Sequence, residues 1–174
     1  MAFRTFVAVA SGESLTEQDI AVLKQWRDSG KVRGVICANR AFEAVPWADY
    51  LVGCDRYFWE TYKAASVFKG GKFAPKAIKG VLRFVPDDYL CGENSGLYAL
   101  KVLRELGAER IILLGYDMKG GHFHPPHRGK NPAQSDFARY IEQFEKFSGC
   151  DIINCTRDSA LECFPKIPLE EAIA

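Results

Sequence analysis

The sequence predicts an α/β fold, a single three-layer domain over residues 1–174 with a mainly parallel sheet. Short apolar segments alternate with amphipathic segments along the chain, which is the order of strands and crossover helices in a parallel sheet. The run from Arg110 to Leu114 is apolar after its first residue, as expected for a strand that is buried on both faces. A chain of 174 residues also fits one domain.

Apolar runs mark the strands, and helical spacing of apolar residues marks the helices. Strands are predicted at residues 4–10, 32–38, 48–54, 110–114 and 151–154, with one or two more between 66 and 93. Helices are predicted at residues 16–27, 58–65, 94–106 and 135–147, with a helical turn at 159–164 and a short helix at 168–172. The first helix is capped either by Thr16 with Asp19 or by Ser14 with Glu17.

Composition and charge exclude several classes of function. The net charge is +1, so no overall field attracts nucleic acid or a membrane surface, and neither is an expected partner. No apolar run approaches the roughly 18 residues of a membrane helix. We interpret the N-terminal apolar stretch as a strand of a cytoplasmic protein, because it is short and lacks a convincing signal-peptide cleavage site. The six cysteines form no Cys-x-x-Cys pair and are expected to be reduced core thiols.

Small and polar residues follow the predicted strands. Ligands of parallel α/β sheets bind outside the carboxyl ends of the strands, so these residues are expected to line one edge of the sheet. They are Ser11, Gly12, Glu13 and Ser14 after the first strand, Asn39 and Arg40 after the second, Asp55 and Arg56 after the third, Gly115, Tyr116 and Asp117 after strand 110–114, and Asn154, Thr156 and Arg157 after the last.

Two glycine-containing turns are candidate ligand contacts. The turn SGES, residues 11–14, precedes a helix whose free N–H groups suit an anion; a simple helix cap explains it equally well. Its Glu13 disfavours tight phosphate contact because it adds negative charge. In the second turn, CGENSG, Gly96 would let a ligand approach the first turn of a helix. Here too capping alone, by Asn94 or Ser95, is the alternative.

All three histidines fall in one short loop, HFHPPH, as His122, His124 and His127. A general acid or base among them is the favoured interpretation, since imidazole titrates near neutral pH. A metal site with Asp117 as a fourth ligand is an alternative, but the spacing resembles no dedicated zinc pattern, so no metal is expected. A surface loop without chemistry is the third interpretation.

Taken in order, these segments resemble a known group of proteins. The segments are VASGESL, VICAN, NSGLYAL, IILLGYD, HRGKNP and NCTRDSALECFPKIPLEEA. Their series is similar to Rossmann-like proteins that include bacterial lipooligosaccharide sialyltransferases, motility accessory factors and hydroxymethylpterin-pyrophosphokinase-like proteins. It most resembles the short stand-alone members carried by phages and prophages. The match runs through almost the whole chain, although no single segment is specific.

The resemblance implies a Rossmann-like fold and a metal-independent, sialyltransferase-like glycosyltransferase. It implies His127 as the general base, with Asp117 orienting either His127 or a ribose. No separate cofactor is required, because a nucleotide or nucleotide-sugar is the donor substrate or ligand. The residues that it implies for nucleotide binding are Ser11, Gly12, Ser14, Asn39, Asp55, Asn94, Ser95, Gly96, Gly115 and Tyr116.

The sequence also departs from this group. Glu13 replaces a proline that is usual in the first turn, the chain is shorter than a sialyltransferase, and Tyr116 is the sole stand-in for a pair of tyrosines that assist the leaving phosphate there. A non-catalytic phage protein that sequesters a host signalling nucleotide is therefore an alternative function. Pyrophosphoryl transfer, with Mg²⁺ held by Asp55 and Asp117, is a third. A homo-oligomer is left open.

Overall fold

A seven-stranded parallel sheet forms the centre of the protein in the computed structural model, which describes residues 3–124 and 136–172. The strands are β1 Thr5–Val9, β2 Gly34–Ala38, β3 Tyr50–Val52, β4 Gly71–Ala74, β5 Leu82–Arg83, β6 Arg110–Leu114 and β7 Asp151–Asn154. All neighbouring strands run parallel. This confirms the predicted α/β class and is consistent with a single Rossmann-like domain.

The strand order, β5-β4-β3-β2-β1-β6-β7, places a switch in winding direction between β1 and β6. From β1 the chain adds strands on one side up to β5, then crosses over and adds β6 and β7 on the other side of β1. The β1–β6 register pairs Thr5 with Arg110 and Val9 with Leu114, so both strands end at the same level. In open sheets of this kind the crevice at such a switch point is the usual ligand site.

Helices cover both faces of the sheet. They are α1 Glu17–Asp28, α2 Arg56–Thr61, α3 Lys63–Ser66, α4 Ser95–Glu105 and α5 Phe137–Glu145, with 3-10 turns at Asn39–Glu43 and Leu169–Glu171. Leu23 and Phe58 belong to the apolar core on one face, whereas Leu100 and Phe144 belong to the core on the other. Within the described residues, no helix combines the length and the apolar character needed to cross a membrane.

The two edge strands of the sheet differ in length and in their backbone pairing. At the β7 edge, the Asn154 N–H donates to Pro165 O at 2.8 Å and the Ile167 N–H donates to Asn154 O at 3.3 Å. The C-terminal segment therefore pairs with the outer side of β7. At the opposite edge, β5 is only two residues long.

Most predicted elements are confirmed, and the exceptions have local causes. The two strands between residues 66 and 93 are β4 and β5, and the helix predicted at 58–65 is divided into α2 and α3 by Tyr62. The helical turn predicted at 159–164 is wrong, because this segment forms turns. There the Ser159 hydroxyl donates to Tyr116 O and the Ala160 N–H donates to Asp117 O, and these bonds compete with a helix.

The cysteine prediction is correct for pairing and partly wrong for location. All six cysteines are free. Cys37, Cys54 and Cys155 are buried, and burial raises the pKa of Cys54 and that of Cys155 to about 12. Cys91 and Cys163 are exposed and so are not core thiols.

A buried ion pair connects α4 to the loop before it. The Lys101 ammonium lies 2.6 Å from Glu93 Oε2, and their side chains are 4% and 0% exposed. Burial raises the pKa of Glu93, and the hydrogen bond from Lys101 opposes part of that rise. Lys101 also donates to the Asp88 carbonyl at 2.5 Å. The pair therefore holds the residues that precede the start of α4.

Replacing Lys101 alone should be strongly destabilising, because it leaves a buried carboxylate without its counter-charge. We expect Lys101→Met to lower the free energy of unfolding by about 3 to 5 kcal/mol, measured by urea denaturation. The double change Glu93→Gln with Lys101→Met should recover most of that loss. Lys146→Met, which removes an exposed pair with Glu142, is the control and should change little. Equal effects of the two single changes would contradict a buried pair.

The start of α1 is held by a second charged cluster. Thr16 and Asp19 form the predicted capping box, and the Arg157 guanidinium donates to both oxygens of Asp19 at 2.6 and 2.7 Å. Burial alone would raise the pKa of Asp19, but the hydrogen bonds from Arg157 and Thr16 outweigh it and hold that pKa below its ordinary value of 3.8. The cluster fixes α1 to the chain that follows β7.

This cluster should contribute stability at neutral pH that is lost in acid. A carboxylate whose pKa is lowered by folding stabilises the protein above its unfolded pKa of 3.8, and this contribution disappears as the pH falls through the folded pKa. We expect Arg157→Gln to cost about 1 to 2 kcal/mol at neutral pH, allowing for the half-exposed guanidinium. Thermal unfolding as a function of pH should show the gap closing below pH 3.8. Arg56→Gln, at an exposed pair with Glu60, should show no such closing gap.

Candidate functional site

The ends of β1 and β6 stay joined beyond the strands themselves. The Ala10 N–H donates to Leu114 O and the Gly12 N–H donates to Gly115 O, both at 2.9 Å. Gly115 has a φ of +71°, and a Cβ there would lie 2.4 Å from Ala10 O. The close approach of the two chain segments therefore requires glycine at 115. Its predicted contact with a nucleotide stays a prediction.

The Asp117 carboxylate fills the turn that follows β1. Asp117 is buried and accepts hydrogen bonds from the Ser14 N–H at 2.9 Å and from the Ser14 hydroxyl at 2.6 Å. A Cβ at Gly12 would lie only 2.1 Å from Asp117 Oδ1. The N–H groups of Gly12 and Ser14 thus already donate within the chain. The predicted phosphate contacts of this turn, including Ser11, would have to use other donors.

Gly12 should be intolerant of any side chain. Gly12→Ala should lower the free energy of unfolding by at least about 3 kcal/mol, because a Cβ would collide with both a side chain and a backbone oxygen. Gly30→Ala is the matched control: Gly30 has a φ of +74° but open space around a Cβ, so only about 1 kcal/mol of backbone strain is expected. Chemical denaturation measures both. Equal losses would mean that Asp117 does not lie against Gly12 in solution.

The segment after Asp117 returns to β1 and carries two of the three histidines. Gly12 and His122 form an antiparallel bridge, and the Phe123 N–H donates to Ser11 O at 3.0 Å. The Ser11 hydroxyl lies 3.0 Å from His122 Nδ1. The structure therefore places His122, as the sequence predicts, at the carboxyl edge of the sheet, beside the switch point.

His122 and His124 stack on each other. Their ring centroids are 4.9 Å apart and their planes differ by 10°. His124 is buried, whereas His122 is exposed. Arg40, which follows β2, places a guanidinium nitrogen 3.1 Å from His124 Nδ1. These contacts connect the loop to the ends of both β1 and β2.

The predicted base His127 lies outside the described residues. In the described ranges no group of three or more His, Cys, Asp or Glu side chains is placed to hold a metal ion. Asp55 is exposed before α2 and caps it with no side-chain hydrogen bond. Asp117 is held by Ser14. The predicted Mg²⁺ pair Asp55 and Asp117 is thus not part of any such group.

Asn39 stands out at the end of β2. It has a φ of +50°, a left-handed conformation that few residues other than glycine adopt. Its side-chain oxygen is buried and has no hydrogen-bond partner among the described residues. Buried polar atoms in folded proteins are almost always paired. The hydrogen-bond donor for this oxygen is therefore not among the described residues.

The start of α4 lies at the same edge of the sheet. Asn94 caps the helix by accepting from the Leu97 N–H at 2.8 Å, yet its side-chain nitrogen is buried without a partner among the described residues. The Ser95 hydroxyl accepts from the Cys54 N–H at 3.0 Å, and the Gly96 carbonyl accepts from the Tyr116 hydroxyl at 3.1 Å. Ser95 thus has a structural partner at the end of β3.

Tyr116 forms hydrogen bonds inside the protein through both its backbone and its side chain. Its side chain is fully buried, which raises its pKa. Its backbone N–H donates to the Thr156 hydroxyl at 3.0 Å. A role for Tyr116 as the tyrosine that assists a leaving phosphate therefore has no support from its position.

Comparisons with known proteins do not assign the chain to a family. The chain matches no protein-family model, no curated protein sequence and no solved structure. The likeness to the sialyltransferase group thus stays a prediction from motifs.

Sequence reasoning placed Arg40 at the edge but gave it no role. Its partners are His124, 84 residues away, and Glu43, with which it forms an ion pair at 2.8 Å. It also lies over the Tyr62 ring at 4.9 Å. Only its position directly after the predicted second strand could have marked it, since spacing does not reveal a contact with a distant loop.

Proposed function

We propose that this protein binds a nucleotide at the β1–β6 switch point and transfers a sugar from a nucleotide-sugar donor to a hydroxyl acceptor. The observation that carries the proposal is the buried side-chain oxygen of Asn39, which has no hydrogen-bond partner within the part of the chain that the structure describes. Asn39 ends β2, the strand beside β1. Polar residues from several strand ends meet at this edge, and such crevices are the usual ligand sites of parallel sheets. The nucleotide-sugar is the substrate, and no separate cofactor is required.

The Asn39 amide suits the base or ribose of a nucleotide. Its buried oxygen needs an N–H or O–H donor, and nucleobases and ribose hydroxyls both provide one. Asn39 holds this side chain on a left-handed backbone with a φ of +50°, a conformation found often at functional sites. Binding would therefore supply the missing hydrogen bond without rearranging the strand.

The phosphate fits better at α4 than at α1. At α1, Thr16 accepts from the Asp19 N–H, and the Ser14 N–H just before the helix donates to Asp117. At α4, the Asn94 side-chain nitrogen has no partner among the described residues, and Gly96 lacks the Cβ that would lie 3.0 Å from the Tyr116 ring. Free N–H donors at a helix start attract anions, so we place the phosphate beside Gly96.

In the transfer the acceptor oxygen forms a bond to the anomeric carbon of the sugar. The bond between that carbon and the phosphate oxygen breaks, and the nucleotide leaves with the electron pair. The proton of the acceptor hydroxyl passes to a histidine of the loop, which the sequence predicts to be His127. A positioned imidazole typically contributes about 10²- to 10⁴-fold to such a step.

One observation favours the alternative, a nucleotide-binding protein without turnover. Asp117, predicted to orient a base or a ribose, is held by two hydrogen bonds from Ser14. A carboxylate used in this way stabilises the turn and has less capacity left for a reaction. Sequestration of a signalling nucleotide would need the same binding site but no proton transfer.

Asn39→Gly tests the binding site because glycine keeps the left-handed backbone and removes only the side chain. We expect the affinity for the best nucleotide to fall about five- to tenfold, the value of roughly one hydrogen bond. Asp158→Gly is the matched control: Asp158 has a φ of +52° but lies after β7. Calorimetric titration measures both, after a thermal-shift screen of CMP, UDP, their sugar conjugates and cyclic nucleotides.

Two further results separate transfer from sequestration. Release of free CMP or UDP from a bound sugar conjugate, followed by ³¹P NMR, would support a transferase. Tight binding of an intact nucleotide with no release would support sequestration. An affinity unchanged by Asn39→Gly would remove Asn39 from the binding site and contradict the observation that carries the proposal.

A further inference from the structure

The contact between Arg40 and His124 fixes the protonation state of one imidazole. A guanidinium nitrogen of Arg40 lies 3.1 Å from His124 Nδ1. Arginine donates hydrogen bonds and has no acceptor, so His124 Nδ1 must accept and must carry no proton. His124 is therefore a neutral imidazole whose proton is on Nε2. The Glu43 carboxylate, which pairs with Arg40 at 2.8 Å, holds the guanidinium in place.

His122 rests on that neutral ring. The stacked rings are 4.9 Å apart and nearly parallel, and His122 is the exposed member of the pair. A neutral ring can lie under an imidazolium, whereas a second imidazolium would repel it. The stack therefore tolerates a positive charge on His122 because Arg40 keeps His124 uncharged.

Ser11 holds the other side of His122. Its hydroxyl lies 3.0 Å from His122 Nδ1, and its backbone carbonyl accepts from the Phe123 N–H. If Nδ1 carries the proton and donates it to the Ser11 hydroxyl, the lone pair of His122 is on Nε2. A base must present a lone pair to the proton that it takes, so this tautomer is the competent one.

We infer that His122, rather than His127, is the base of this site, with Ser11, His124 and Arg40 as its positioning residues. The inference rests on the proposed function, since it names the group that takes the acceptor proton. In the step, the acceptor O–H bond breaks and its proton binds His122 Nε2, while the acceptor oxygen bonds to the sugar. The imidazolium then returns its proton to water after the nucleotide leaves.

The first test needs no substrate. The full chain is labelled with ¹⁵N-histidine, and its imidazole nitrogens are followed by long-range ¹⁵N–¹H correlation at mildly alkaline pH. We expect an unprotonated Nδ1 at His124 and a protonated Nδ1 with an unprotonated Nε2 at His122. Single changes of each histidine to glutamine assign the signals. A protonated Nδ1 at His124, or a His122 that carries its proton mainly on Nε2, would overturn the inference.

Removing the arginine tests its role in the stack. Arg40→Met should free the His124 tautomer, so that its Nδ1 signal shifts toward the average of the protonated and unprotonated forms. Arg33→Met is the control, because Arg33 is exposed at the opposite edge of the sheet, before β2. An unaltered His124 tautomer in Arg40→Met would show that the arginine does not set it.

The second test uses turnover of the nucleotide-sugar identified in the binding screen. His122→Gln should slow transfer at least about a hundredfold and leave nucleotide affinity within a few-fold. Ser11→Ala should reduce the rate constant more than it changes affinity, and Ser11→Thr, which keeps the hydroxyl, should restore it. Full activity in His122→Gln, with loss in His127→Gln, would overturn the inference while the proposed transferase stands. If no nucleotide binds, the proposed function fails, and the tautomers remain as measured.

Discussion

The closure of β1 against β6 determines most of what this protein can do. Two backbone hydrogen bonds extend the strand pair past its ends, and a buried carboxylate from one segment grips the turn of the other. This closure requires glycine on both sides, since any side chain at Gly12 or Gly115 would meet atoms of the other segment. The turn after β1 is thus held firmly against the segment that follows β6. The closure of β1 against β6 also sets the position of the loop that follows Asp117.

Most strands and helices could be predicted from the sequence, because the patterns that mark them involve residues close together in the chain. The limits of β6 and β7 match the predicted runs 110–114 and 151–154, since continuous apolar residues mark a strand that is buried on both faces. The cap of α1 was also readable, because Thr16 and Asp19 are only three residues apart. The break at Tyr62 and the turns after Ser159 were not, since they depend on contacts with distant parts of the chain.

The location of the site was predicted from the sequence, but the contacts between its side chains were not. The sequence correctly gathered Asn39, Arg40 and Asp117 toward one edge, because parallel strands end together. Two of the three histidines, His122 and His124, lie there as well. The sequence could not show that Ser14 would form hydrogen bonds with Asp117, 103 residues away. Nor could it show that Arg40 would contact His124. Such contacts depend on the orientation of side chains, which the spacing of apolar residues along the sequence does not reveal. In the resulting site the first turn forms its hydrogen bonds within the protein, and buried side-chain atoms of Asn39 and Asn94 find no partner in residues 3–124 and 136–172.

The structure of the two edge strands, β5 and β7, bears on self-association of the protein. The last residue of β7, Asn154, is paired with the C-terminal segment, and β5 offers only two strand residues. Exposed strand edges are the usual route by which sheets of separate molecules join and aggregate. Neither edge provides the long row of free backbone groups that such joining needs. Pairing of edge strands is therefore a disfavoured route to a homo-oligomer of this protein.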